Sequence, residues 1–198
     1  MTCFKQVKPI IVVRHPGPGA GAGAQAQPDP MPRLSFADVD CSVAQAAQQV
    51  GDKWSLVILR DAFTGISRFD EFARHLGVAT NVLASRLHAL VEAGILYRRP
   101  VAGDGRAVDY KLTPKGFELF PLIVFLLQWG DRWMPKPQGE RLAVVDRQTR
   151  RPVRPVQVLD ADGQALSARD TRYRPGHGGS AVMQQLPTVA ARRHFDAD

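Results

Sequence analysis

Between Thr80 and His88 the chain reads TNVLASRLH, with its polar members on one side of a helical pattern. Thr80, Asn81 and Ser85 carry short hydroxyl and amide groups, Arg86 a planar fork of donors, His88 ring nitrogens and Val82 a methyl pair. Such groups contact phosphates and read base edges, guanidinium to guanine and methyl to thymine among them. The competing reading is a solvated helix face. Further along, Arg98, Arg99, Arg106 and Lys111 fall on two strand-like runs joined by the loop AGDGRA. A small basic hairpin of this kind suits phosphate contacts, and the competing reading is ordinary surface charge.

Cys41 is the other residue type with chemistry to offer. It opens an apolar helical pattern, where the helix dipole favours thiol reactivity, so it is a candidate redox sensor; a small half-buried residue is the bland alternative. Cys3 is the second of only two cysteines, which excludes a disulfide framework and a CxxC metal pair. A bridge between two copies of Cys41, or an adduct, stays open. His15, His75, His88, His177 and His194 lack metal-ligand spacing. No metal, cofactor or enzymatic activity is expected, because a Cys-dependent enzyme needs a histidine beside Cys41 and no spacing supplies one.

The elements that would position these groups can be read from periodicity and punctuation. In 41–51, Val43, Ala47 and Val50 share a helical stripe ended by Gly51. A second helix spans 52–63 with Asp52 as N-cap and Trp54, Val57, Ile58, Asp61 and Ala62 on one face. A third begins at Ser67 as cap, buries Phe69, Phe72, Ala73 and Leu76, and ends at Gly77. The fourth, Thr80 to Ala93, buries Leu83, Leu87, Leu90 and Val91. Helix three, a tight Gly-containing turn and helix four form a helix-turn-helix pattern, which can seat its second helix in a DNA major groove.

Strands follow at 95–101 and 107–112. Thr113 then caps one long helix to about Met134, with Pro114 at its first position and a kink at Pro121. Apolar residues nearly encircle this helix, including Phe117, Phe120, Ile123, Val124, Leu127, Trp129 and Trp133. A helix apolar all round must be buried, and a domain this small cannot cover it. Phe120, Ile123, Val124, Leu127, Trp129 and Trp133 are therefore the expected contacts with a second copy of the chain. A space between this helix and its mate could hold a small apolar effector.

Outside 35–134 the composition changes. Residues 1–34 are rich in Pro, Gly and Ala and read as a disordered tail; translation starting at Met31 is an equal alternative to a real tail. Residues 135–173 form a small Arg-rich extension with strand-like fragments, and 174–198 read as a second disordered tail. The net charge of +7 divides into +1 for 1–40, +2 for 41–134 and +4 for 135–198. Bulk charge thus argues only weakly for a polyanion at the helix-turn-helix itself. The run LFPLIVFLL is about half the length a membrane span needs, so no membrane partner is expected. The cysteine usage fits a reducing cytoplasm.

The ordered marks along 41–134 resemble the HxlR-type bacterial transcription regulators. They are Cys41, GDKW at 51–54, ILRDAF at 58–63, RFDEF at 68–72, LASRLHALVEAGIL at 83–96, YKLTPKG at 110–116 and QWGDRW at 128–133. The resemblance implies a mostly α fold with a small β wing, a winged helix-turn-helix. It further implies a homodimer built through the first and last helices and bound to double-stranded operator DNA near a promoter. It departs from the family at Ser42, where Pro is common, and in the wing loop AGDGRA. The counterpart of the Cys-containing ribbon of longer members has no Cys in 145–166. The expected function is a nucleoid-associated regulator, a repressor, tuned by a small effector or by Cys41. A winged-helix protein-interaction module without specific DNA binding is the alternative.

Overall fold

The computed structural model describes residues 39–101, 103–181 and 184, leaving out the side chains of 104–106. The chain divides into Met1–Arg33 and Leu34–Asp198, and only the second unit is described. The tail expected over 1–34 and nearly all of 182–198 lie outside the described residues.

The element order is α1 (Ser42–Val50), α2 (Lys53–Thr64), α3 (Phe69–Leu76), α4 (Thr80–Glu92), β1 (Leu96–Val101), β2 (Asp104–Leu112), α5 (Pro114–Phe117), α6 (Phe120–Trp133), β3 (Val158–Leu159) and β4 (Ala165–Leu166). Each boundary has a local cause. The Asp52 carboxylate accepts from the Trp54 and Ser55 amides at 2.9 and 3.3 Å, satisfying two of the unpaired donors at the start of α2. Glu71 reaches back to accept from Ser67 N and Arg68 N at 3.2 and 3.0 Å, closing the start of α3. Gly77 ends α3 at φ 60°, a left-handed conformation that side chains resist, and lets α4 begin after only 77–79.

One core holds these helices together. Ile58 and Leu59 from α2, Phe72 from α3, and Leu83, Leu87 and Leu90 from α4 are fully buried, joined by Ile95, Leu96, Tyr110 and Ile123. Burying each such side chain contributes about 1.5–3 kcal/mol. β1 and β2 form an antiparallel hairpin in the register Leu96↔Leu112 to Pro100↔Val108, with an irregularity before Val101. A bridge between Arg68 and Asp109 and the bond Tyr110 N to Ser67 O at 2.8 Å add the α2–α3 connection as a third edge.

Several expectations need correction. The last helix is two helices: Thr113 caps α5 through Gly116 N at 3.0 Å, the chain turns at 118–119, and α6 starts anew. Pro121 sits in the first turn of α6, where its missing N–H costs nothing, so it permits a restart instead of kinking a continuous helix. Val43 is 77% exposed and does not join the α1 stripe. Ser67 does not cap α3; its hydroxyl donates to Asp109 at 3.2 Å, and Arg68 holds the N-cap position. Of the expected contacts with a second copy, Ile123 and Val124 are 4% and 3% exposed, so this chain already covers them. β2 starts at Asp104, three residues earlier than the pattern predicts.

Beyond α6, residues 144–156 and 158–166 form two small hairpins, the first bridged at Val145↔Pro152, the second paired at Val158↔Leu166 and Leu159↔Ala165. The first is pinned to α6 by one side chain. Gln128 donates to Arg154 O at 3.1 Å and accepts from Val156 N at 2.8 Å. Residues 174–181 are placed, with Ser180 N donating to Asp40 at 2.7 Å. Among the described residues, no helix is long and apolar enough to cross a membrane, and no group of His, Cys, Asp and Glu could hold a metal.

Candidate nucleic-acid interface

The second helix of the helix-turn-helix separates its two faces cleanly. Leu83, Leu87 and Leu90 point into the core, while Thr80, Asn81, Ser85 and His88 are exposed and Val82 and Arg86 half-buried. The core face fixes the rotation of α4 about its axis, so the polar face cannot turn inward without exposing three leucines. Arg86 is partly engaged in the free protein, its Nε 3.8 Å from the Asp52 carboxylate. Asn81 accepts from the Val82 amide at 2.9 Å, which orients its side chain at the helix start.

The hairpin places the other candidates unequally. Arg99 donates to Asp109 at 2.8 Å, and this bond holds the Asp109 carboxyl below its ordinary value, helped by Ser67 and Lys111. Arg98 lies over the Tyr110 ring and donates to its hydroxyl at 3.3 Å, an interaction that raises the guanidinium's already high pKa. Both arginines are thus fixed on the strands, with exposed heads. Lys111 is half-buried opposite Tyr97. The Arg106 side chain lies outside the described residues, although its backbone belongs to β2.

Behind the interface is a cluster that the spacing of residues did not reveal. Asp61 is fully buried, yet it is ionisable. Its carboxylate accepts from Arg60 Nε at 2.8 Å and lies 2.7 Å from His75 Nδ1. A buried carboxylate is tolerated only when paired in this way. The pairing ties α2 to α3, the helix that supports α4. Lys115 does similar work at the other end of α4, donating to Ala93 O at 2.7 Å and to Gln49 of α1 at 2.8 Å. A cation at a helix C-terminus meets its unpaired carbonyls.

Two further features lie away from α4 and the wing arginines. Cys41 is a half-buried free thiol at the N-cap of α1. An open cleft of about 250 Å³ lies between the end of α2, the hairpin and α5, lined by Phe63, Tyr97, Tyr110, Lys111 and Phe117 among others. Phe117 and Phe120 pack against the Phe63 ring at 6.2 and 5.1 Å between centroids. Leu127 packs against the core, and the far side of α6 is apolar and exposed, with Leu122, Phe125, Leu126, Trp129 and Trp133.

Comparison with known proteins agrees with this geometry. The profile of the HxlR-like helix-turn-helix family matches residues 49–138. An HTH-type transcriptional regulator of Mycobacterium tuberculosis, itself uncharacterised, is 39% identical over 142 residues, 72% of this chain and 90% of its own length. That shared length exceeds the span 49–138, so the likeness continues outside the winged helix. The crystal structure of PA1607, a candidate transcription factor, superposes with a TM-score of 0.67 at 42% identity, covering 72% of this chain and all of that one. PA1374 of Pseudomonas aeruginosa, also a candidate transcription factor, gives 0.53 at 37% identity over 74% of this chain and 99% of that one. The relatives are transcriptional regulators and not enzymes. The chain belongs to the HxlR-like helix-turn-helix family and is a DNA-binding transcriptional regulator with a winged helix-turn-helix fold.

Proposed function

We propose that the chain is a homodimeric repressor that reads operator DNA through α4. Each copy presents Thr80, Asn81, Val82, Ser85, Arg86 and His88 to one major groove. Arg98, Arg99, Arg106 and Lys111 of the wing face the flanking phosphates, and two half-sites lie about 34–36 Å apart. The carrying observation is the division of α4 into a fully buried leucine stripe and a polar outer face. The exposed apolar side of α6 supports the dimer, with Trp129 and Trp133 against the second copy. Such a regulator works on chromosomal DNA in the cytoplasm. The cleft beside Tyr97 and Lys111 suits a small effector with an apolar body, and the partial exposure of Cys41 supports modulation through its thiol.

The test is binding to the DNA upstream of the chain's own gene, followed by fluorescence anisotropy. Asn81→Ala and Arg86→Ala should each lose about 1–3 kcal/mol of discrimination between operator and scrambled duplex. Equal affinity of wild type for both duplexes favours the protein-interaction module. A promoter–reporter fusion that brightens when the gene is deleted supports repression, and one that dims overturns it.

A further inference from the structure

The hairpin that follows α6 carries a concentration of charge that the winged helix lacks. Between Asp146 and Arg154 the sequence DRQTRRPVR holds Arg147, Arg150, Arg151 and Arg154, all exposed. Among the described residues no carboxylate pairs with any of these four guanidinium groups. The one acid in the turn, Asp146, is occupied, accepting from Gln148 N at 3.0 Å and Thr149 N at 2.6 Å. No lysine occurs beyond Lys136; the cations here are guanidinium forks, which match phosphate oxygens in pairs.

The loop is also built, not merely basic. Backbone bonds Asp146 N to Arg151 O at 2.9 Å, Arg150 N to Asp146 O at 2.9 Å and Val153 N to Val144 O at 3.0 Å close it. Closure puts Arg150 at φ 60°, and it is the one non-glycine residue with positive φ among those described. Glycine or asparagine would sit there more cheaply, so an arginine is held where backbone geometry disfavours a side chain. Gln128 clamps the hairpin onto α6, and Arg141 ties the intervening segment to Asp131 at 2.6 Å and to Met134 O at 2.8 Å. None of these contacts uses the four arginine side chains.

We propose that this hairpin is a second DNA-contacting surface, one that grips backbone phosphates of duplex DNA flanking the operator and reads no sequence. It rests on the DNA-binding reading above. The argument is charge complementarity: residues 41–134 carry a net of only +2 while 135–198 carry +4, and neutralised phosphates supply a large share of the affinity of DNA-binding proteins. The extension would supply the sequence-independent part that the winged helix is short of.

The experiment uses the full chain and two duplexes, the upstream operator of the anisotropy test alone and the same operator with a helical turn added on each side, over a salt series. Replacing Arg147→Gln, Arg150→Gln, Arg151→Gln and Arg154→Gln together should flatten the salt dependence on the longer duplex. The expected drop is about one unit of log–log slope for each arginine that meets a phosphate, and at least about two units in all. The ratio of operator to scrambled-duplex affinity should stay the same. The matching Arg→Lys variant should keep most of the slope, and circular dichroism should show both variants folded. Equal slopes for wild type and the Gln variant overturn the proposal. If wild type binds neither duplex, the DNA-binding reading itself falls, and the hairpin proposal with it.

Discussion

At the scale of single residues, Asp61 ties α2 to α3, the helix that supports α4, without facing outward. Its carboxylate is fully buried, with Arg60 on one oxygen and His75 on the other. Removing it leaves a guanidinium and an imidazole that can turn to water, since Arg60 and His75 keep part of their surface exposed. Asp61→Ala should therefore cost about 2–3 kcal/mol, less than orphaning a fully buried charge. Urea unfolding measures this, and a loss below about 0.5 kcal/mol would show the carboxylate to be incidental. Helical spacing placed Asp61 on the apolar face of α2 with Ile58, but could not tell why an acid belongs there. The answer lies in His75, 14 residues away, and pairings across a fold are invisible to periodicity. Asn81, Ser85 and Arg86 were easier, because the leucines at 83, 87 and 90 dictate which side of α4 faces out.

At the scale of elements, local punctuation in the sequence held at Asp52, Gly77 and Thr113 and failed at Ser67, whose hydroxyl turns to Asp109 across the fold. Asp52, Gly77 and Thr113 each end or start an element as their chemistry requires. Pro121 misled because a proline inside an apolar run fits either a kink or a fresh first turn, and only packing decides. The wing is anchored through Asp109, which Arg99, Ser67 and Arg68 meet from both sides. Its carboxyl titrates below the ordinary value of 3.8, chiefly because Arg99 donates to the charged form. A depressed folded-state value means that this anchoring contributes fully above the unfolded carboxyl's value. It fades as the pH falls through the lower folded-state value. Wild type should thus lose stability on acidification below about pH 4 more steeply than Asp109→Asn. Thermal melts of both over that range test this, and parallel curves would remove Asp109 from the account.

At the scale of the whole molecule, α6 has two occupied sides and one bare one. Ile123 and Val124 face inward, Gln128 carries the Arg-rich hairpin, and Trp129 and Trp133 stand 48% and 67% exposed. An all-round apolar helix showed that something must cover it, but not which residues this chain covers itself. With Ile123 and Val124 removed from the expected interface, the aromatic residues are the contacts left to test. Trp129→Glu combined with Trp133→Glu should convert a dimer to a monomer in sedimentation velocity. Operator affinity should fall at least about tenfold, as two linked half-sites become one. A monomeric wild type, or a double variant that still dimerises, would place the interface elsewhere. The overall charge, in contrast, says little about α4, because most of it sits in the extension, as its division along the sequence already showed.

The contact between Asp52 and Arg86 has a consequence of its own. The acid that starts α2 also stands 3.8 Å from the guanidinium that the proposed reading brings to DNA. A phosphate arriving at Arg86 therefore meets an internal rival that already occupies the phosphate's role. Random duplex, which brings phosphate alone, must outcompete that rival with little else to gain. A matched site adds base contacts from the same helix and displaces it more readily. On that reading the protein would carry its own competitor for non-specific DNA, held by the capping bonds that start α2.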